Sequence, residues 1–414
     1  METQHSAIVV DNQVQTEVLV KDLLSGVFPH FSNLKEQDVA QFSKAQIAFF
    51  IEEEERHDKK ILTKDLSQSL KSMSSGERKR ALLNHLLKQK PQTLLAVNPF
   101  DSLDMAKQEQ LKIKLQKLGQ SLSIIQITNR IPDILPFAQD FFRYTENTLI
   151  HYPDLISLKS TVYPKENTLN KKVPGPLIKI PLELQNLVTF AKVSVSFNEK
   201  PVLSKISWTI KKGEFWQLVG PNGSGKSTLL NLITGDSHKG YGQNLTVFGH
   251  KKGSGESVWD LKEMIGYFSP AMVDRFRGYH TLEHMLISGL HDSVGLYIQP
   301  SENEKQKALE WLRLLGMEEK KDSYFHELSL GAKRLLMTAR ALIKHPPLLI
   351  LDEPTVGLDD SSTSLFVNLI NRYALQSTSA IVYVSHRKEE NLNPDQVFEL
   401  LPKEGGSVGK IHYI

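Results

Sequence analysis

The residues with the clearest chemical potential lie at 220–228, where the chain reads GPNGSGKST. An apolar run, FWQLV, precedes them, and KSTLLNLIT, with helical apolar spacing, overlaps their end. In that setting the pattern G-x-x-x-x-G-K-[ST] builds a cradle for phosphates. Gly220, Gly223 and Gly225 allow the backbone to turn, so that N–H groups along Asn222, Ser224 and Thr228 can point inward. Lys226 then reaches the β and γ phosphates, and the Ser227 hydroxyl is placed for Mg²⁺. Further on, PLLILDEP sets Asp352 and Glu353 at the tip of an apolar run. One acid there can hold Mg²⁺ or its water, and the next can polarise an attacking water. His386 follows another apolar run, AIVYVS, 34 positions after Asp352.

The elements that must position these residues are short apolar runs bounded by turn or polar residues, alternating with helical segments such as GAKRLLMTARALIK. That alternation predicts an α/β fold on a parallel sheet. The chain has 414 residues, 40% hydrophobic and 23% charged, which suits two or three domains with real cores. Fifty basic against 47 acidic residues leave a net charge of +3, no strong signal for a nucleic-acid partner. Without cysteine there are no disulfides, thiolate metal sites or cysteine nucleophiles. No apolar run approaches the roughly 18 residues that a membrane span needs, and METQHSAIVV does not resemble a secretory signal. The expected location is the cytoplasm, with the inner face of the membrane as a peripheral alternative. The run EEEE (52–55) is expected to be a solvated helix face, and GSGES (253–257) a turn.

The chain also repeats itself. SMSSGERKRALLNHLLKQKPQTLLAVNPFDSLDM in the first half aligns without gaps with ELSLGAKRLLMTARALIKHPPLLILDEPTVGLDD in the second. Gly76 falls opposite Gly331, Val97 opposite Asp352, Asp104 opposite Asp359 and Asn129 opposite His386. VAQFSKA (39–45) parallels IGYFSPA (265–271). The two halves are expected at 1–155 and 185–414, joined by a linker over 156–184. The first half has lost about half of the segment between its loop and its serine–glycine motif, 57 residues against 103. Taking DNQVQTEV (11–18) against GPNGSGKS puts Val14 and Thr16 at loop glycines and Glu17 at the lysine. An attraction of about 4 kcal/mol between unit charges 4 Å apart would thereby become repulsion. The first half is expected neither to hydrolyse nor to bind ATP.

Together these motifs resemble the ATP-binding-cassette (ABC) ATPases, over nearly all of 185–414. The resemblance implies two tandem nucleotide-binding domains of the P-loop NTPase class, the first trimmed and degenerate. It gives Lys226, Ser227 and Asp352 to Mg-ATP, Glu353 to catalysis, His386 to sensing the γ-phosphate and Phe197 to stacking on adenine. Asp359 matches the loop that meets the opposite nucleotide site. Two departures stand out. Ser269 and Pro270 replace the family's usual glutamine, and the L-S-G-G-Q signature has drifted to LSLGA (328–332). The first half keeps a closer signature, MSSGERKR (73–80).

In this family an ATP lies between one domain's phosphate loop and the other's signature. The resemblance therefore implies one composite site per chain, with Ser74, Ser75, Gly76 and Asp104 as the first half's contribution. That arrangement suits a monomer with an internal domain pair; the rival is a homodimer of second halves. More specifically the chain is similar to tandem members of the family named for molybdenum transport or photorepair. The readings left open are a transport motor on a separate membrane permease, an ATPase acting on ribosomes or DNA repair, and a free-standing ATP-dependent switch.

Overall fold

The computed structural model describes residues 3–64, 68–162, 172–178, 183–255, 257–276, 278–386 and 389–414. Residues 163–171 and 179–182 of the expected linker lie outside the described residues. The chain forms two compact units: Met1–Lys165 with Gly357–Ser361, and Glu166–Val356 with Ser362–Ile414. No helix among the described residues is long and apolar enough to cross a membrane.

The first unit is built on one sheet of six strands: β1 (His5–Val10), β2 (Val39–Phe42), β3 (Thr93–Val97), β4 (Ser123–Thr128), β5 (Asp140–Thr145) and β6 (Thr148–Tyr152). Their order is β2-β3-β4-β1-β5-β6, parallel except for β6 against β5. Because side chains alternate along a strand, Leu94 and Ala96 enter one core with Leu82 and Leu86, while Leu95 enters the other with Ile8, Leu19 and Leu23. Burial of both faces explains why these strands are continuous apolar runs. The EEEE run lies on the helix Lys44–His57, where Glu52 pairs with Arg56 and Glu55 with Lys71. No cluster of three or more histidines or carboxylates placed to hold a metal ion occurs among the described residues.

The second unit has β7 (Asn186–Phe197), β8 (Lys200–Lys211), β9 (Phe215–Val219), β10 (Leu245–Val247), β11 (His250–Lys251), β12 (Ile265–Phe268), β13 (Leu348–Asp352), β14 (Ala380–Val384), β15 (Gln396–Leu401) and β16 (Val408–Tyr413). Six of these repeat the first unit's arrangement, as β12-β13-β14-β9-β15-β16. The other four form an antiparallel sheet, β11-β10-β7-β8, packed by Trp208, Phe190 and Val193. The first unit has no such sheet among its described residues; of its four strands, β10 and β11 fall in the stretch between loop and serine–glycine motif that the first half has shortened, while β7, which carries Phe197, and β8 precede the loop.

The strand ladders fix the repeat more finely than the sequence does. Leu348 pairs with Ala380 as Thr93 pairs with Ser123, and Ile265 pairs with Leu348 as Val39 pairs with Thr93. On that register His5, opposite Ile124, corresponds to Phe215, opposite Ile381. The loop alignment expected from sequence is therefore one residue out. Thr16, not Glu17, stands where Lys226 stands, and Glu17 takes the place of Ser227. Two observations agree: the helices begin at Thr16 and Lys226, and buried Leu19 and Leu23 match buried Leu229 and Ile233. The physical conclusion survives the correction, since no lysine or glycine remains in 11–18.

Candidate functional site

In the second unit, the loop 220–225 leaves β9 and turns into the helix Lys226–Thr234. Gly223 and Gly225 have φ of 81° and 97°, a region that side chains with a Cβ rarely adopt. Gly225 has a second reason to be glycine. A Cβ there would lie 2.7 Å from Leu203 Cδ2, on β8 of the antiparallel sheet. That sheet also carries Phe197, partly exposed, with the Lys239 ammonium 5.7 Å from its ring centroid. Lys226 is buried and donates to the carbonyls of Gly220 (2.8 Å) and Pro221 (3.1 Å). Ser227, Asn222 and Gly223 are exposed along the loop, and Thr228 is half-buried.

Asp352 ends β13, and Glu353 follows at φ 49°, its N–H donating to Val384 O at 2.9 Å. This bend sets the two carboxylates on different courses. Burial pushes Asp352 up to about 6, and the neighbouring charge of Glu353 adds to the rise. Glu353 is held below its usual range, first by its hydrogen bond with His386 Nδ1 (3.1 Å). The Lys226 charge favours the ionised form of both acids. The Tyr267 hydroxyl donates to Asp352 Oδ2 at 3.4 Å.

Two polar atoms of this site, Ser224 Oγ in the loop and His386 Nε2, are buried without a partner among the described residues. Buried polar atoms without partners are costly, and a bound anion with acceptor oxygens would satisfy both. The exposed Ser227 hydroxyl and the Asp352 carboxylate are hard oxygen donors, a set that fits a magnesium ion accompanying phosphates. The second unit thus gathers Gly220–Thr228, Asp352, Glu353 and His386.

Ser74–Gly76 and Asp104 lie together in the first unit, at the starts of two helices. Ser74 caps the helix Ser75–Lys88 in a capping box: its Oγ accepts from Glu77 N–H, and the Glu77 carboxylate accepts from Ser74 N–H at 2.8 Å. Ser75 Oγ donates to Ser102 O. Asp104 caps Met105–Leu118 by accepting from Lys107 N–H at 2.9 Å. The Lys107 side chain lies so close over Gly76 that a Cβ there would sit 3.0 Å from its Cδ. Asp359 also falls in the first unit, where it accepts from Asn12 N–H at 2.8 Å.

The first unit preserves the bend but not the chemistry. Asn98 sits where Glu353 does, at φ 43°, with its N–H on Ile127 O and its Oδ1 accepting from Asn129 N–H. A cavity of about 340 Å³ remains there, lined by Thr16, Glu17, Gln41, Lys44 and Asn98 beside Val97. Sequence reasoning missed two kinds of residue. One is Tyr267. The other is the matched pair Lys79 and Arg334, which brace the stretch after the acids by donating to Pro99 O and Asp101 O, and to Pro354 O and Val356 O. A cation at the same place in both repeats, within ERKRALL and AKRLLM, was the available signal.

The sheet order, the phosphate loop and the acid pair define an ATP-binding cassette. The ABC transporter family model matches residues 203–356. The ABC transporter ATP-binding protein ModF of Escherichia coli (strain K12) is 35% identical over 340 residues, 80% of this chain and 69% of that protein. The uncharacterized ABC transporter ATP-binding protein C323.04 of Schizosaccharomyces pombe is 31% identical over 340 residues, 78% and 67% of the two chains. The protein belongs to the ABC transporter ATP-binding family, in its tandem form. The archaeal ribosome recycling factor aABCE1 matches 99% of this chain and 85% of its own, with a TM-score of 0.66 at 17% identity. That likeness is one of fold.

Proposed function

We propose that the second unit binds Mg-ATP and hydrolyses it. The observation that carries this reading is the convergence of Lys226, Asp352, Glu353 and His386 on a loop whose Ser224 Oγ and His386 Nε2 are buried without partners. Lys226 leaves its own loop carbonyls for the β and γ phosphates. The Glu353 carboxylate, kept ionised by His386, orients a water and accepts its proton as the water oxygen bonds to the γ phosphorus and the bond to the β–γ bridging oxygen breaks. As an imidazolium, His386 donates from Nδ1 to Glu353 and from Nε2 to a γ-phosphate oxygen. Ser227 and Asp352 would hold the magnesium ion, which neutralises charge on the phosphates.

The site becomes complete, on this proposal, with the first half's signature, Ser74–Gly76, supplying an N-cap hydroxyl and helix N–H groups to the γ-phosphate. Support comes from the unequal losses: the intact loop belongs to one half and the less drifted signature to the other. The work done by the cycle is a further question. The relatives' names favour a transport-type role on the cytoplasmic side of a membrane, with a separate permease as partner.

Glu353→Gln tests the catalytic reading. Hydrolysis should fall by about 10²–10⁴-fold while ATP stays bound through gel filtration. Turnover at the parent rate would remove Glu353 from the mechanism. The trapped variant, recovered from its native cells, also identifies the partner. A permease supports transport, whereas ribosomal or DNA-repair components, or none, replace it with one of the other roles.

A further inference from the structure

The family's usual glutamine is absent after β12, replaced by Ser269 and Pro270. Its absence leaves open which side chain reaches the metal-binding acid from that side. We propose that Tyr267 is a positioning residue, whose hydroxyl holds the Asp352 carboxylate in the orientation that receives the magnesium ion of a bound nucleotide. The inference rests on the reading of this site as one for Mg-ATP.

Four observations carry it. The Tyr267 hydroxyl lies 3.4 Å from Asp352 Oδ2 and is the donor of that contact. Ser269, on the residue pair that replaces the glutamine, hydrogen-bonds the same phenol. The parallel ladder sets Tyr267 beside Ile350, two residues before Asp352, so the long phenol can span from mid-strand to the strand end. Finally, the first unit supplies an internal comparison. Gln41 occupies the same register beside Leu95, and Val97 stands where Asp352 would. Hydroxyl and carboxylate are missing together there, beside the cavity of about 340 Å³. A carboxylate tethered on one oxygen keeps the other aimed at a cation, and groups that orient a metal ligand commonly set metal affinity by an order of magnitude or more.

The experiment measures binding of the non-hydrolysable analogue AMP-PNP to the full chain, in EDTA and across a magnesium titration, for the parent and Tyr267→Phe. The phenylalanine keeps the ring and removes only the hydroxyl. Affinity in EDTA should stay within about twofold, and the magnesium midpoint should rise about tenfold, the lower end of the range for such a tether. A purely packing role predicts no change in the midpoint, and an unchanged midpoint overturns the proposal. Tyr267→Gln, a side chain that the first unit accommodates at this register, restores a donor and should recover part of the shift. If Tyr267→Phe weakens binding in EDTA by as much as it does in magnesium, the loss belongs to packing rather than to the hydroxyl and the proposal fails. A parent that binds no AMP-PNP, or binds it indifferently to magnesium, overturns the Mg-ATP reading itself.

Discussion

Asp352 is pulled in two directions: burial and Glu353 disfavour its charge, while Lys226 favours it. Without metal the first pair wins, and its carboxyl is pushed up to about 6 from 3.8. A raised folded-state value means stability that is present below about 4 and lost as the pH climbs through about 6. Measured in EDTA, the melting temperature of the parent relative to Asp352→Asn should fall between pH 4 and pH 7. A flat difference across that window would show that Asp352 carries no such penalty. At this scale the sequence was informative wherever chemistry is local. The loop, the acid pair and the histidine each announce themselves by type, spacing and a neighbouring apolar run. Tyr267 did not, because its reach to Asp352 depends on how β12 lies against β13, a non-local fact.

Between β13 and the helix that follows, the stretch after the acids must keep its bend, and a buried cation in each repeat supplies the brace. Arg334→Met removes donors to Pro354 O and Val356 O and should cost about 2 kcal/mol, with kcat falling more than nucleotide affinity. Lys79→Met, which strips Pro99 O and Asp101 O, should cost a similar amount while leaving affinity for nucleotide unchanged. Thermal melts, nucleotide titrations and turnover on both variants check the contrast; an equal loss of nucleotide affinity would refute it. Elements were legible from the alternation of apolar runs and helices, and the repeat from its matched motifs. The phase of residues 11–18 was not. Once glycine and lysine are gone, nothing in that stretch marks where the helix starts, and the ladder of β1 on β4 settles a one-residue choice that hydropathy leaves open.

For the whole molecule, the composite-site proposal predicts one ATP per chain, measurable by equilibrium binding. Ser74→Arg, at an exposed helix cap, gives up the capping hydrogen bond at a cost of about 1 kcal/mol and, on the composite-site proposal, should abolish hydrolysis without lowering the parent's capacity to bind ATP. Two ATP per dimer and indifference to Ser74 would instead favour second halves acting on one another. The Gly225 contact carries one more implication, about history. Glycine is required there both by its φ and by Leu203 on the antiparallel sheet. The first unit has no such sheet among its described residues, and Gln15 stands at the corresponding position with an ordinary φ of −74°. When the wall disappears, so does one reason to keep the turn. A Gln15→Gly change would give the turn back its freedom without the contact that, in the second unit, also demands the glycine.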